Sequence, residues 1–86
     1  MTSQLVTVPV VLKKSCSDRQ SLEALGTVTE TEEGWVVDYT AQVNYFLDDE
    51  TFIYDFWSTA GSCLPNLSND DLIRFDWGSV QKVKRA

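Results

Sequence analysis

Apolar and polar residues alternate almost regularly from Trp35 to Leu47. One face of this pattern carries Trp35, Val37, Tyr39, Ala41, Val43, Tyr45 and Leu47. Because successive side chains of a strand point to opposite faces, the alternation predicts a β-strand with one buried side. After the polar residues 48–51 the apolar pattern resumes in residues 52–57. We therefore predict an antiparallel hairpin in which Leu47 pairs with Phe52.

Two elements are predicted before this hairpin. A first strand spans Leu5 to Lys13, with one apolar face made of Val6, Val8, Val10 and Leu12. Pro9 has no N–H to donate, which places this strand at an edge of the sheet or puts a bulge beside the proline. Ser17 and Gln20 fit a capping box and leucines follow at helical spacing, so a short helix is predicted around residues 18–25.

A threonine-rich strand, residues 27–32, leads into a turn at Glu33 and Gly34, where glycine tolerates a positive φ. It should pair with the start of the long strand and direct Val28 toward the core.

The C-terminal third is less regular. Residues 58–67 have the composition of a loop. Residues 69–77 allow two interpretations, a capped helix or a final hairpin of Leu72–Asp76 with Ser79–Lys84, and the hairpin is preferred. The chain is thus predicted to be α+β and mostly antiparallel β. Its curled sheet of four to six strands runs β-α-β-β-β before a short helix or final hairpin.

Composition sets the class of protein. The chain has 86 residues, of which 43% are hydrophobic, so we predict one small domain over residues 1–86 with 1–3 and 85–86 frayed. No apolar run reaches membrane-spanning length and the first residues do not resemble a secretory signal, so we expect a cytoplasmic location. Cys16 and Cys63 are then expected to be reduced, although the sequence also allows a bridge.

Charge is distributed unevenly. Residues 20–81 contain twelve acidic residues and one arginine, whereas lysines and arginines concentrate in residues 1–19 and 82–86. An acidic body repels nucleic acid and attracts basic surfaces, so no direct nucleic-acid binding is expected and a basic protein partner is favoured.

The residue types argue against catalysis. There is no histidine, and the four glycines do not form a phosphate-binding loop. Two cysteines without histidine do not make a structural zinc site, and the acids at 48–50 lack the loop of a calcium site. We predict a non-enzymatic protein with no metal and no cofactor.

The predicted hairpin would place apolar residues on the face that points away from the core. These residues are Phe46, Ile53 and Trp57, and the acids beside them are Asp48, Asp49, Glu50 and Asp55. The rest of the chain or a partner must cover this patch. The leading hypothesis is a protein-binding module, of the inhibitor or immunity type found among small phage-like proteins, whose carboxylates imitate phosphates toward a basic nucleic-acid-handling partner. Its oligomeric state is left open, and a homodimer is one option.

A second hypothesis comes from another class. In it the curled sheet holds a small ligand in an aromatic pocket of Tyr39, Tyr45, Tyr54 and Phe56, as a ligand-binding or accessory-subunit domain. The acids would then serve solubility.

Overall fold

The computed structural model describes residues 4–43 and 49–83. Within them lie five strands and two α-helices. The strands are β1 (Gln4–Leu12), β2 (Gly26–Glu30), β3 (Trp35–Val43), β4 (Leu72–Phe75) and β5 (Gln81–Val83), and the helices are α1 (Arg19–Leu22) and α2 (Asp49–Cys63). The fold is α+β with an open antiparallel sheet and one main helix, which confirms the predicted class. No helix of the described residues is long and apolar enough to cross a membrane.

β1 is the central strand of the sheet. One edge pairs with β3 along its whole length, from Gln4 opposite Val43 to Leu12 opposite Trp35. β2 lies on the far side of β3. The other edge of β1 pairs with β4 and also with β5, so these two short strands follow one another along the same edge.

The break between β4 and β5 lies beside Pro9. The carbonyl oxygen of Pro9 accepts a hydrogen bond from the N–H of Asp76, with 2.8 Å between the atoms. The N–H and C=O of one strand residue point to the same edge. The donor that proline lacks would therefore face residues 76–80, where a 3₁₀ turn at Trp77–Ser79 replaces the ladder. The predicted edge position is wrong, and the register shift of β1 against β4 lies between Val11 and Leu12, two residues after the predicted bulge beside Pro9.

The β2–β3 turn is confirmed at the predicted place. Gly34 has a φ of 157°, and a Cβ there would collide with the carbonyl oxygen of Leu12. The Thr31 hydroxyl donates to the Gly34 carbonyl at 2.9 Å. Glycine is needed because the turn lies directly against β1. Val28 is buried, as expected, and lies opposite Val37.

The core lies between one face of the sheet and α2. The predicted inward face of β1 is fully buried, as are the corresponding positions of β3 and the inner face of α2; these residues are Val6, Val8, Val10, Leu12, Val37, Tyr39, Ala41, Phe52, Phe56 and Ala60. Phe52, Phe56 and Ala60 recur every four residues, so they share one face of the helix.

The predicted hairpin is wrong in its second half. Residues 52–57 belong to α2, and β3 pairs with β1 and β2. Phe52 therefore does not pair with Leu47 as a strand residue. Of the three consecutive strands predicted after the first helix, only β2 and β3 are present. The four-residue spacing of Phe52 and Phe56 fits both the two-residue repeat of a strand and one face of a helix. Burial of both rings against β1 and β3 favours the helix.

Helix α1 is shorter than predicted. Asp18, not Ser17, is its N-cap, and its Oδ1 accepts a hydrogen bond from the N–H of Ser21 at 2.7 Å. The predicted capping box of Ser17 with Gln20 is therefore wrong. Gly26 follows the predicted helix as a terminating glycine would, but it is the first residue of β2. Glycine fits there because a Cβ would collide with the carbonyl oxygen of Asp38.

The preferred interpretation of the C-terminal segment is correct in part. Residues 72–75 and 81–83 are strands, but each pairs with β1, so the predicted hairpin between them is wrong. Before them, Ser68 and Asp71 form a capping box on a 3₁₀ turn, Asn69–Asp71.

Candidate protein-binding surface

Helix α2 presents a stripe of partly exposed residues outside its buried face of Phe52, Phe56 and Ala60. Its residues are Glu50, Ile53, Tyr54 and Trp57, spaced i, i+3, i+4 and i+7, so they adjoin on one side of a helix. Tyr54 is 77% exposed, whereas Ile53 and Trp57 are half-buried. We call this set the α2 stripe. It combines a carboxylate, two aromatic rings and an aliphatic side chain.

The two rings of the stripe are supported differently. The Trp57 ring packs edge-to-face on Phe56, with 5.3 Å between centroids, and Phe56 is fully buried. Phe56 in turn packs on Tyr39 and Phe75 at 5.2 and 5.6 Å. Trp57 is thereby fixed to the core, while Tyr54 projects beside it.

Asp55 is directed away from this stripe. Its Oδ2 accepts a hydrogen bond of 2.6 Å from the hydroxyl of Tyr39, and Thr59 Oγ1 lies 2.9 Å from the same hydroxyl. Residue 55 is about 160–200° around the helix from Trp57 and Ile53, at about 100° per residue. The predicted grouping of Asp55 with these two residues is therefore not made.

The Tyr39 cluster has a structural role. Burial and the hydrogen bond to Asp55 raise the pKa of Tyr39 to about 12, so the phenol stays protonated at neutral pH. Its ring is only 5% exposed. The hydroxyl, fully engaged between Asp55 and Thr59, attaches α2 to β3.

The acidic residues predicted for the site are only partly described. Asp49 and Glu50 are exposed in the first turn of α2, where the positive end of the helix dipole stabilises carboxylates. Helix stability by itself thus gives a reason for acids here. Asp48 and Phe46 lie outside the described residues. The helix contains three acids and no lysine or arginine.

Two acids at the β2–β3 turn have cationic partners. Glu30 is 3.2 Å from the Lys14 ammonium, and Glu33 is 3.0 Å from the Arg74 guanidinium. Such exposed pairs contribute little stability but reduce the local negative charge. The net negative charge of this turn is therefore smaller than its acidic residues alone indicate.

Tyr54 is the residue that sequence reasoning misassigned. In the strand interpretation it faced inward with Phe52 and Phe56. The four-residue recurrence of Phe52, Phe56 and Ala60 was the signal that could have placed Tyr54 outside.

The aromatic pocket of the second hypothesis has no counterpart in the described residues. Tyr39 and Phe56 are buried in the core and Tyr54 points to solvent, so these three rings do not line one cavity. Tyr45 lies outside the described residues. Among the described residues there is also no group of three or more His, Cys, Asp or Glu side chains that could hold a metal ion.

Comparisons with known proteins assign no family. No protein-family model matches the chain, and neither curated proteins nor solved structures give a significant match. The surface of α2 is therefore the basis for a functional assignment.

Proposed function

We propose that the chain is a non-enzymatic protein-binding module that docks on a basic partner through α2. The contact surface consists of the α2 stripe and the first turn of α2, where Asp49 and Glu50 supply charge; Asp48, which precedes them in the sequence, is proposed to add to it. Ile53, Tyr54 and Trp57 supply apolar anchors. On this proposal it acts in the cytoplasm.

One observation carries the proposal. Tyr54 is the most exposed large hydrophobic side chain of the described residues, and it lies between two half-buried apolar residues within one helical turn of Glu50. Aromatic residues are enriched in protein–protein contacts because they bury a large area with few rotatable bonds. Carboxylates beside them accelerate encounter with a basic surface.

The partner class follows from the same charge. A surface that binds phosphates presents lysines and arginines. Carboxylates on a fixed helix can take the place of the phosphates and pair with these cations. We therefore assign the partner to basic nucleic-acid-handling proteins, with inhibition by competition as the outcome.

The docking surface can be tested with a fluorescent nona-arginine peptide as a minimal basic partner. We expect the triple reversal D48K/D49K/E50K to weaken binding at least about tenfold, equivalent to about 1.4 kcal/mol. Tyr54→Ala should also weaken it while leaving every charge in place. Circular dichroism verifies that α2 persists, because lysines in a first turn oppose the helix dipole.

A matched control separates local from overall charge. The variant E23K/E32K/D70K changes three exposed acids outside α2 by the same amount. If this control lost as much affinity as the α2 reversal, the assignment to α2 would be wrong.

The inhibitor part of the proposal needs a separate assay. The purified chain is titrated into DNA or RNA cleavage by a panel of basic nucleases, and a short DNA duplex is added as competitor. Inhibition that the duplex relieves supports phosphate imitation. Inhibition that the duplex leaves unchanged contradicts it, as does the absence of inhibition across the panel.

A further inference from the structure

The two cysteines of the chain, Cys16 and Cys63, line one polar cleft of about 230 Å³ between the α1 region and the C-terminal end of α2. Both cysteines are free thiols. They are 47 positions apart in the sequence, and the fold places both on the lining of this cleft.

Each wall of the cleft is attached to the core. Cys16 packs against the core cluster and closes a 3₁₀ turn through a 3.1 Å bond from its N–H to the Lys13 carbonyl. Cys63 is the last residue of α2, and the next residue, Leu64, is buried. Both thiols are thus held in the same opening by backbones that have fixed positions.

We propose that Cys16 and Cys63 are a reversible dithiol–disulfide pair that closes this cleft on oxidation. Pro65 and Asn66, on the exposed side of the cleft, form a turn that is closed by a 3.0 Å hydrogen bond from the Leu67 N–H to the Leu64 carbonyl. The disulfide bond forms when the two Cβ atoms of the cysteines reach about 3.5–4.5 Å.

The oxidant is a disulfide of a small thiol, for which oxidised glutathione serves as the probe. The more exposed thiol, Cys63, loses its proton and bonds to one sulfur of the probe, while the other sulfur leaves as a glutathione thiolate and takes up that proton. The resulting mixed disulfide is then attacked by the deprotonated Cys16, and the second glutathione leaves with the second proton. Two protein thiols are oxidised and one small disulfide is reduced to two thiols.

The surroundings of Cys16 fit the second step better than the first. Burial and the nearby Asp71 raise the pKa of the Cys16 thiol, which lowers its reactivity toward molecules in solution. Proximity to a mixed disulfide on Cys63 compensates for that low reactivity.

The test uses the full chain and its Cys16→Ser variant in buffers of oxidised and reduced glutathione. After acid quenching and alkylation with N-ethylmaleimide, intact mass counts the remaining thiols. We expect the wild-type chain to lose two hydrogens and both alkylation sites, with a Cys16–Cys63 cross-link in the digested peptides. Cys16→Ser should stop at one glutathione adduct on Cys63, and reduction should restore all thiols.

Two results would overturn the proposal. One is a wild-type chain that keeps a glutathione adduct as persistently as the Cys16→Ser variant. The other is cross-linking that occurs only between molecules, recognised by its increase with protein concentration. Circular dichroism of the wild-type chain and of Cys16→Ser shows that loss of the bond is not loss of the fold.

Discussion

The hydroxyl of Tyr39 on β3 donates a 2.6 Å hydrogen bond to Oδ2 of Asp55 on α2. This bond joins the sheet to the helix that carries the proposed docking surface. Thr59 Oγ1 of the same helix lies 2.9 Å from this hydroxyl, so a small polar cluster attaches the strand to the helix beside their apolar contacts.

Removal of this hydroxyl should destabilise the fold. Tyr39→Phe leaves the half-buried Asp55 carboxylate without its donor, and we expect a loss of about 1–3 kcal/mol in the free energy of unfolding. Urea denaturation measures the change. Tyr54→Phe removes the same atom at an exposed position and should alter stability by less than about 0.5 kcal/mol. Equal losses in the two variants would show that the bond to Asp55 does not hold α2.

Stability should decline at alkaline pH because of the same tyrosine. The pKa of Tyr39 is raised from 10.0 to about 12 in the folded chain, so between these values the unfolded state loses a proton that the folded state retains. The contribution of Tyr39 is present in full below pH 10 and is lost as pH rises toward 12. Tyr39→Phe should show a shallower decline over this window in urea midpoints measured at matched ionic strength. Parallel curves for the two proteins would contradict the assignment.

A helix-stabilising substitution distinguishes α2 from the loop that composition predicts. Gly61 lies within α2 and a Cβ there meets nothing within 4 Å. Gly61→Ala should raise the free energy of unfolding by about 0.5–1 kcal/mol, because alanine loses less backbone entropy in a helix. Gly34→Ala is the contrasting variant and should destabilise, because its Cβ would collide with the Leu12 carbonyl. Destabilisation by Gly61→Ala would mean that residue 61 is not helical.

The salt dependence of binding should distinguish the contribution of the charged residues of the proposed surface from that of its apolar residues. Screening shortens the range of exposed charges from about 10 Å at 0.1 M salt to about 3 Å at 1 M. We expect affinity for the nona-arginine peptide to fall with salt and D48K/D49K/E50K to flatten that dependence. Tyr54→Ala should lower affinity at every salt concentration without changing the slope. A slope changed by Tyr54→Ala and unchanged by the reversal would contradict the proposed division of roles.

The sheet was predictable where a single periodicity applies. The alternation in β1 and the first half of the long strand gave their buried faces correctly, and Gly34 marked the β2–β3 turn. These segments alternate over enough residues that no helical pattern fits them.

Helix α2 was not predictable in the same way. Phe52, Tyr54 and Phe56 alternate, and a six-residue apolar run cannot decide between a strand and a helix. Residues 58–63 then resemble a loop, since serine, threonine and glycine have weak helix propensity. The decision comes from tertiary contact, in which the Phe52 ring packs against Tyr39 and Trp77 at 5.6 Å each.

The proposed site changed for the same reason. Residues 52–57 are a helix and not the predicted strand, and Ile53 and Trp57 are still neighbours because residues four apart adjoin on a helix. Asp55 lies on the Tyr39 side of this helix, and Tyr54 lies at the surface. The pairing of β1 with β4 and β5 was equally beyond local pattern, since nothing near Leu5 in the sequence indicates Val83 as its partner.

The central position of β1 has a consequence for synthesis of the chain. β1 precedes all of its partners in the sequence, and the register joins Leu5 to Val83. Neither edge of β1 can be completed until β3 and then β4 and β5 have emerged from the ribosome. Contacts so distant in sequence form slowly. The nascent chain therefore holds an apolar strand without its final neighbours until β5 has been made.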